Sequence, residues 1–181
     1  MKPIIVAVSR SPEHTFSKQN EESIRLIEGY GVEGDAHAGE TVKHRYLVRK
    51  DPTLPNIHQV HLIQIELLEE LNAKGFSVNP GDLGENITTR GVDLLGLPTG
   101  TKIKIGTQAI IELKTLRNPC VQIDQFQKGL LKEVLYKNEE GEVIRRAGVM
   151  GIILEGGIVR PKDEIVINLP PKPHMPLANV Y

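Results

Sequence analysis

The chain reads as a series of short apolar runs cut by glycines, with only two stretches that carry a helical period. Ile4 to Val8 is a continuous apolar run of the buried-strand type. Ser23 to Glu28 mixes polar and apolar positions and stops at Gly29-Tyr30-Gly31, a turn. Val60 to Ile63 reads as a strand that leads straight into Gln64 to Lys74, where Leu67, Leu68 and Leu71 share one helical face and Gly75 supplies the stop. Lys102-Ile103-Lys104-Ile105 alternates strictly, as a half-buried strand does, and Gly106-Thr107-Gln108 turns it into Ala109 to Leu113. Val149 to Glu155 and Ile158 to Arg160, joined by Gly156-Gly157, read as a second hairpin. Glu164 to Asn168 is the last strand.

The second helix is expected after Ile123. Asp124 stands where a cap belongs, Gln127 follows three positions on, and Phe126, Leu130 and Val134 recur every four residues. Gly129 within it costs about 1 kcal/mol relative to alanine. Asp51 to Asn56, with Pro52 and Pro55, reads as an inserted loop. Pro170, Pro171, Pro173 and Pro176 mark the tail as an extension outside the core. Many short strands and few helices argue for a mainly β fold closed into a barrel with a few peripheral helices, because closure removes exposed sheet edges.

Composition narrows the function classes. With 181 residues the chain suits one domain and needs no disulfide or metal cluster to fold. Lys and Arg (22) balance Asp and Glu (23), so wholesale binding to nucleic acid or to an acidic membrane is not expected. The absence of Trp, with three Phe and four Tyr, argues against a stacking platform for single strands. The longest apolar run near the start is too short to span a bilayer or form a secretion signal, so a reducing, cytoplasmic location is expected.

That location makes the one cysteine, Cys120, a free thiol. It follows Arg117-Asn118-Pro119, where proline stiffens the approach. The start of the expected helix, with Arg117 and Lys114 nearby, would favour a thiolate, which is a nucleophile, a sulfur carrier or a soft-metal ligand. An inert buried cysteine is the plainer alternative. Gly81-Asp82-Leu83-Gly84-Glu85-Asn86, continuing through Thr88 to Arg90, places small turns beside donors and acceptors for a heterocycle, and Arg90 offers a fork for phosphate. A turn in which Asp82 and Asn86 bond their own backbone is the alternative. Gly31 to Gly39 contains Asp35 and His37, a pair able to position a proton. No zinc site is expected among His37, His44, His58 and His61, whose spacing and lack of a cysteine pair assemble no obvious tetrahedral set.

In order along the chain, GVEGDAHAG (31–39), His44-Arg45, GDLGENITTR (81–90), LPTG (97–100), Ile105-Gly106, RNPC (117–120), GVMG (148–151) and Gly156-Gly157 resemble the MOSC domain. That module forms the C-terminal part of molybdenum cofactor sulfurases. The resemblance implies a single domain over 1–181, with a core at about 23–168 and a proline-rich tail at 169–181. It implies a barrel like the small barrel domain of pyruvate kinase, and the compact stand-alone type, since no desulfurase domain or extra N-terminal domain is present. It also implies the molybdenum cofactor (molybdopterin), with Cys120 carrying sulfur or ligating molybdenum. Arg45, Arg90 and Arg117, together with Gly81, Asp82, Gly84, Glu85, Asn86 and Thr88, would hold the pterin and its phosphate.

The expected function is reduction of N-hydroxylated small molecules, with Asp35 or His37 supplying protons and a separate protein supplying electrons. The alternative is a non-redox module that carries persulfide or cofactor on Cys120 and is fed by a desulfurase.

Overall fold

The computed structural model describes residues 1–179. The strands, in chain order, are β1 (Ile4–Arg10), β2 (Gln19–Glu21), β3 (Ile24–Ile27), β4 (Gly31–Val32), β5 (Val60–Gln64), β6 (Ile87–Arg90) and β7 (Lys102–Ile105). They continue as β8 (Ala109–Leu116), β9 (Leu135–Lys137), β10 (Val143–Arg145), β11 (Val149–Glu155), β12 (Gly157–Val159) and β13 (Ile165–Asn168). Between them lie α1 (Arg45–Lys50), α2 (Ile65–Ala73), α3 (Gln122–Phe126) and α4 (Leu131–Val134).

The main sheet runs β13-β7-β8-β11-β5-β6-β1-β2, antiparallel throughout except for the parallel pair β5 and β6. Strict alternation buries every second residue of β8, so Ala109, Ile111 and Leu113 meet Ile5, Leu62, Ile87 and Val149 in one apolar core. On the other face, Leu67, Leu68 and Leu71 of α2 pack with Ile63, Leu83, Ile123 and Val134 in a second cluster.

The fold is thus mainly β with few helices, as expected, but the sheet does not close through a full ladder. The start of β1, beyond the reach of β2, meets the residue before β13 through one bridge, Ile4 with Glu164, and three backbone hydrogen bonds join residues 3–5 to 162–165. The turn at 160–163, with Lys162 at φ 76°, ends the contact after that single pair.

Three further expectations are corrected. After Gly156, β12 leaves β11 and pairs with β3, Gly157 opposite Leu26, so no hairpin forms there. The helix expected after Ile123 breaks in two because Gly129 sits at φ +88°. Asp124 then lies inside α3 and accepts the Leu131 amide at 2.8 Å, capping the second piece. The tail is not outside the core: Leu177 is 7% exposed within the main cluster, and Ala178 accepts the Leu116 amide. Helix α1, absent from the sequence expectation, precedes the loop at 51–56.

Candidate functional site

The register brings four strand ends and the middle of β5 into line across the sheet. Leu116 at the end of β8 stands opposite Val149 at the start of β11, which stands opposite Leu62 of β5. Leu62 pairs with Ile87 at the start of β6, and Ile87 with Val8 near the end of β1. Loops far apart in sequence therefore share one rim, and a cavity of about 540 Å³ opens there.

Cys120 is on its wall. The chain leaves β8 through Arg117-Asn118-Pro119, Pro119 is buried, and the Cys120 carbonyl accepts the Ile123 amide at 3.0 Å to begin α3. The half-buried thiol makes a contact of 3.6 Å to Gln122 Oε1. Neither helix nor lysine supports it as expected: α3 has only five residues, and Lys114 pairs with Glu112 at 2.9 Å. Arg117 is the cation within electrostatic reach of the sulfur.

Among the described residues no Asp or Glu side chain lines the cavity, whereas Lys18, Arg45, Arg49, Arg117 and five histidines do. Lys18 is offset from below by Asp35, with Nζ 3.0 Å from the carboxylate. Arg117 has no ion pair among the described residues. It donates to the Leu83 carbonyl and lies 5.6 Å from the Phe16 ring centre, a cation–π distance. Burial, and then the neighbouring His44 and His37, lower the pKa of His58 to about 4. Burial likewise holds His61 well below the ordinary histidine range, with Nε2 2.9 Å from the Ala147 carbonyl. Burial first, and then like charge, also lower His14 and His44. At neutral pH the wall therefore combines fixed arginine charge with mainly uncharged imidazoles.

Of the residues singled out from sequence, Cys120, Arg117, Arg45, His37, Gly84 and Asn86 share this cavity. Asp35 lies beneath it, its side chain 1% exposed. Its carboxylate accepts from the Ser11 and His37 amides at 3.0 and 3.1 Å and from Asn86 Nδ2 at 3.3 Å, besides Lys18. Burial alone would raise its pKa. The His37 ring, the Lys18 charge and the Ser11 amide outweigh that and hold it well below the usual carboxylate range. Asp35 is thus an anchored acceptor rather than a proton donor. The His37 ring is partly exposed to the cavity, while its Nδ1 is buried, 3.6 Å from the Asp35 carboxylate and without a hydrogen-bond partner among the described residues.

The 81–90 segment serves mostly the protein itself. Asn86 accepts the His61 amide at 3.1 Å and donates to the Ser9 carbonyl and Asp35, so both its amide hydrogens are committed to the protein. Gly81 and Gly84, both at positive φ, approach the backbone of residues 16–18, where a Cβ would stand 2.5 Å from the Lys18 carbonyl oxygen and 2.6 Å from that of Phe16. Asp82 accepts the Asn79 amide at 2.8 Å. Glu85 is fully buried, accepts from the Gly81 amide at 2.6 Å and from Thr88, and is pushed by burial toward its neutral form. Arg90 lies away from the cavity and pairs with Glu69 at 2.7 Å.

Sequence reasoning missed Lys18, His14, Phe16 and Arg49, because residues 14–18 carry no motif. Five of the six histidines line this single cavity, a grouping that only the fold brings about. Among the described residues no three His, Cys, Asp or Glu side chains group closely enough to hold a metal by themselves. No helix among them is long and apolar enough to cross a membrane.

The model of the MOSC domain matches residues 49–166. No curated protein sequence matches the chain. Among solved structures, YUAD protein from Bacillus subtilis is 21% identical, covering 94% of this chain and 98% of its own, with a TM-score of 0.75. YiiM from Geobacillus stearothermophilus is 16% identical, covering 97% and 80%, with a TM-score of 0.66. YiiM from Escherichia coli is 15% identical, covering 95% and 73%, with a TM-score of 0.59. At these identities the structures establish a shared fold. The family match spans well over half the chain, and the chain belongs to the MOSC domain family.

Proposed function

We propose that this protein binds the molybdenum cofactor in the cavity at the sheet end, with Cys120 ligating the metal, and reduces N-hydroxylated small molecules. One observation carries the reading: a cavity with no Asp or Glu side chain among its described lining residues holds the chain's only thiol beside arginines that have no ion-pair partner among the described residues. A thiol is the soft ligand that a thiophilic metal takes, and arginine forks suit a phosphate. The volume, about 540 Å³, is in the range of cofactor pockets.

The chain's own residues divide the work. Arg117 and Arg45 meet the phosphate and the negative charge of the pterin. Asp35 fixes Lys18 and the 35–37 turn from below. His37, whose ring lines the cavity while its buried Nδ1 faces the Asp35 carboxylate at 3.6 Å, carries protons to the substrate oxygen. When bound, the cofactor supplies two-electron chemistry at an oxygen-accepting metal. Overall, an N–O bond is replaced by N–H and water leaves, with two electrons and two protons consumed. The electrons come from a separate donor protein.

The test is turnover of benzamidoxime by cofactor-loaded protein with a reduced viologen dye as donor. Formation of benzamidine by the parent and not by Cys120→Ser supports the reading. Loaded protein that carries a persulfide on Cys120 and reduces nothing assigns it to sulfur transfer instead.

A further inference from the structure

A second hollow of about 490 Å³ adjoins the cavity and shares His14, Arg45 and Arg49 with it. Lys43, Val48 and Pro52 complete its working surface, and again no Asp or Glu lines it. Neither Lys43, Arg45 nor Arg49 is ion-paired among the described residues, in a chain with as many acidic as basic side chains. Arg45 and Arg49 are four residues apart on α1, a spacing at which like charges repel, and the first turn of that helix has no acidic residue to relieve them. Lys43 is held by shape rather than by a counter-charge. Its stem lies across Gly39, where a Cβ would come within 2.2 Å of Lys43 Cε. Val48, 37% exposed, and Pro52 provide an apolar flank between these cations.

We propose that this second lobe is a substrate subsite for an organic acid: Lys43 and Arg49 take a carboxylate or phosphate monoester, and Val48 and Pro52 receive the apolar body. The inference rests on the reductase reading and adds its substrate class, N-hydroxylated compounds that carry an acid group at the end remote from the N–O bond. The shared rim at Arg45 and Arg49 lets one molecule reach from the lobe into the cavity that holds Cys120.

The subsite is tested on full-length protein made without cofactor, by following backbone amide shifts during titration with phenyl phosphate, benzoate and neutral benzyl alcohol. Both anions are expected to shift residues 41–52 and to bind at least tenfold more tightly than the alcohol. The tighter of the two identifies the acid group. Lys43→Gln, at an exposed position that does not line the Cys120 cavity, should lower anion affinity at least tenfold. Equal binding of the alcohol, unchanged affinity in this variant, or shifts centred on residues 117–122 would overturn the proposal. In loaded protein, the kcat/KM ratio of 4-carboxybenzamidoxime to benzamidoxime should exceed ten and fall to near one in Lys43→Gln, at unchanged molybdenum content. A drop in molybdenum content would assign the lobe to the cofactor and refute the subsite. Inactivity toward both substrates would defeat the reductase reading alone, and the titration without cofactor would still decide whether the lobe binds acids.

Discussion

Replacing Asp35 with alanine should damage the protein more than any other single change at the cavity. The carboxylate is 1% exposed and the Lys18 side chain 3%. Its removal leaves a buried ammonium without a counter-charge, together with the orphaned amides of Ser11 and His37. Breaking a buried pair from one side costs about 3–5 kcal/mol, which for a chain of this size lowers the melting temperature by roughly 10 °C. The two partners respond differently to burial. Lys18 is shifted down because desolvation outweighs the pull of Asp35 and Glu85, whereas Asp35 has backbone donors besides the lysine and stays ionised. Lys18→Met should therefore cost less, and the double variant Asp35→Leu/Lys18→Met should recover much of the loss, giving a coupling of about 2 kcal/mol. Because Asp35 is held below its unfolded pKa of 3.8, its contribution is present above that pH and lost as pH falls through the folded value. Urea unfolding followed by far-ultraviolet circular dichroism suits a chain without Trp. A loss below about 1 kcal/mol for Asp35→Ala, or additive single variants, would refute the anchored-carboxylate account.

Three other outcomes are expected. Gly81→Ala, which forces a Cβ to 2.5 Å from the Lys18 carbonyl at φ +90°, should cost about 2 kcal/mol or more in urea unfolding; a neutral result would show that the 16–18 segment gives way easily. His58→Gln should flatten the decline of stability between pH 6.5 and about 4, where the unfolded histidine is protonated and the folded one is not. The difference should approach about 3 kcal/mol at the acid end, and identical pH profiles would mean that the ring charges without penalty. Arg90→Ala should leave molybdenum and pterin content unchanged, since that side chain is paired with Glu69 outside the cavity; loss of cofactor would contradict its placement.

Local pattern made much of the fold legible, and long-range pairing explains where it failed. The alternation at 102–105 and the leucines of α2 announce a strand and a helix from neighbouring residues alone. Gly156-Gly157 looked like a hairpin turn because sequence shows adjacency but not partners, and β12 found β3 instead. The break at Gly129 was visible as a weak point. Its outcome depended on the backbone adopting positive φ there, with Asp124 capping the Leu131 amide. At the site, Cys120 and Arg117 stood out because thiol and guanidinium announce their chemistry wherever they sit. Asn86 and Arg90 advertised ligand contacts but were already engaged, Asn86 by Ser9, His61 and Asp35, and Arg90 by Glu69. Lys18 and His14 were silent because their roles depend on β1 ending beside the 31–39 loop, where the Ala36 amide meets the Ser11 carbonyl at 2.8 Å.

The central claim is that Cys120 and its cation-lined cavity hold the molybdenum cofactor. Its most direct test is the molar content of molybdenum and pterin in folded protein purified from cofactor-producing cells, parent beside Cys120→Ser. The account predicts equal amounts of both in the parent, and in the serine variant an intact fold with most of the molybdenum lost, because a hydroxyl is a poor soft-metal ligand. A parent without molybdenum or pterin, or a variant that retains both at parental levels, would contradict it.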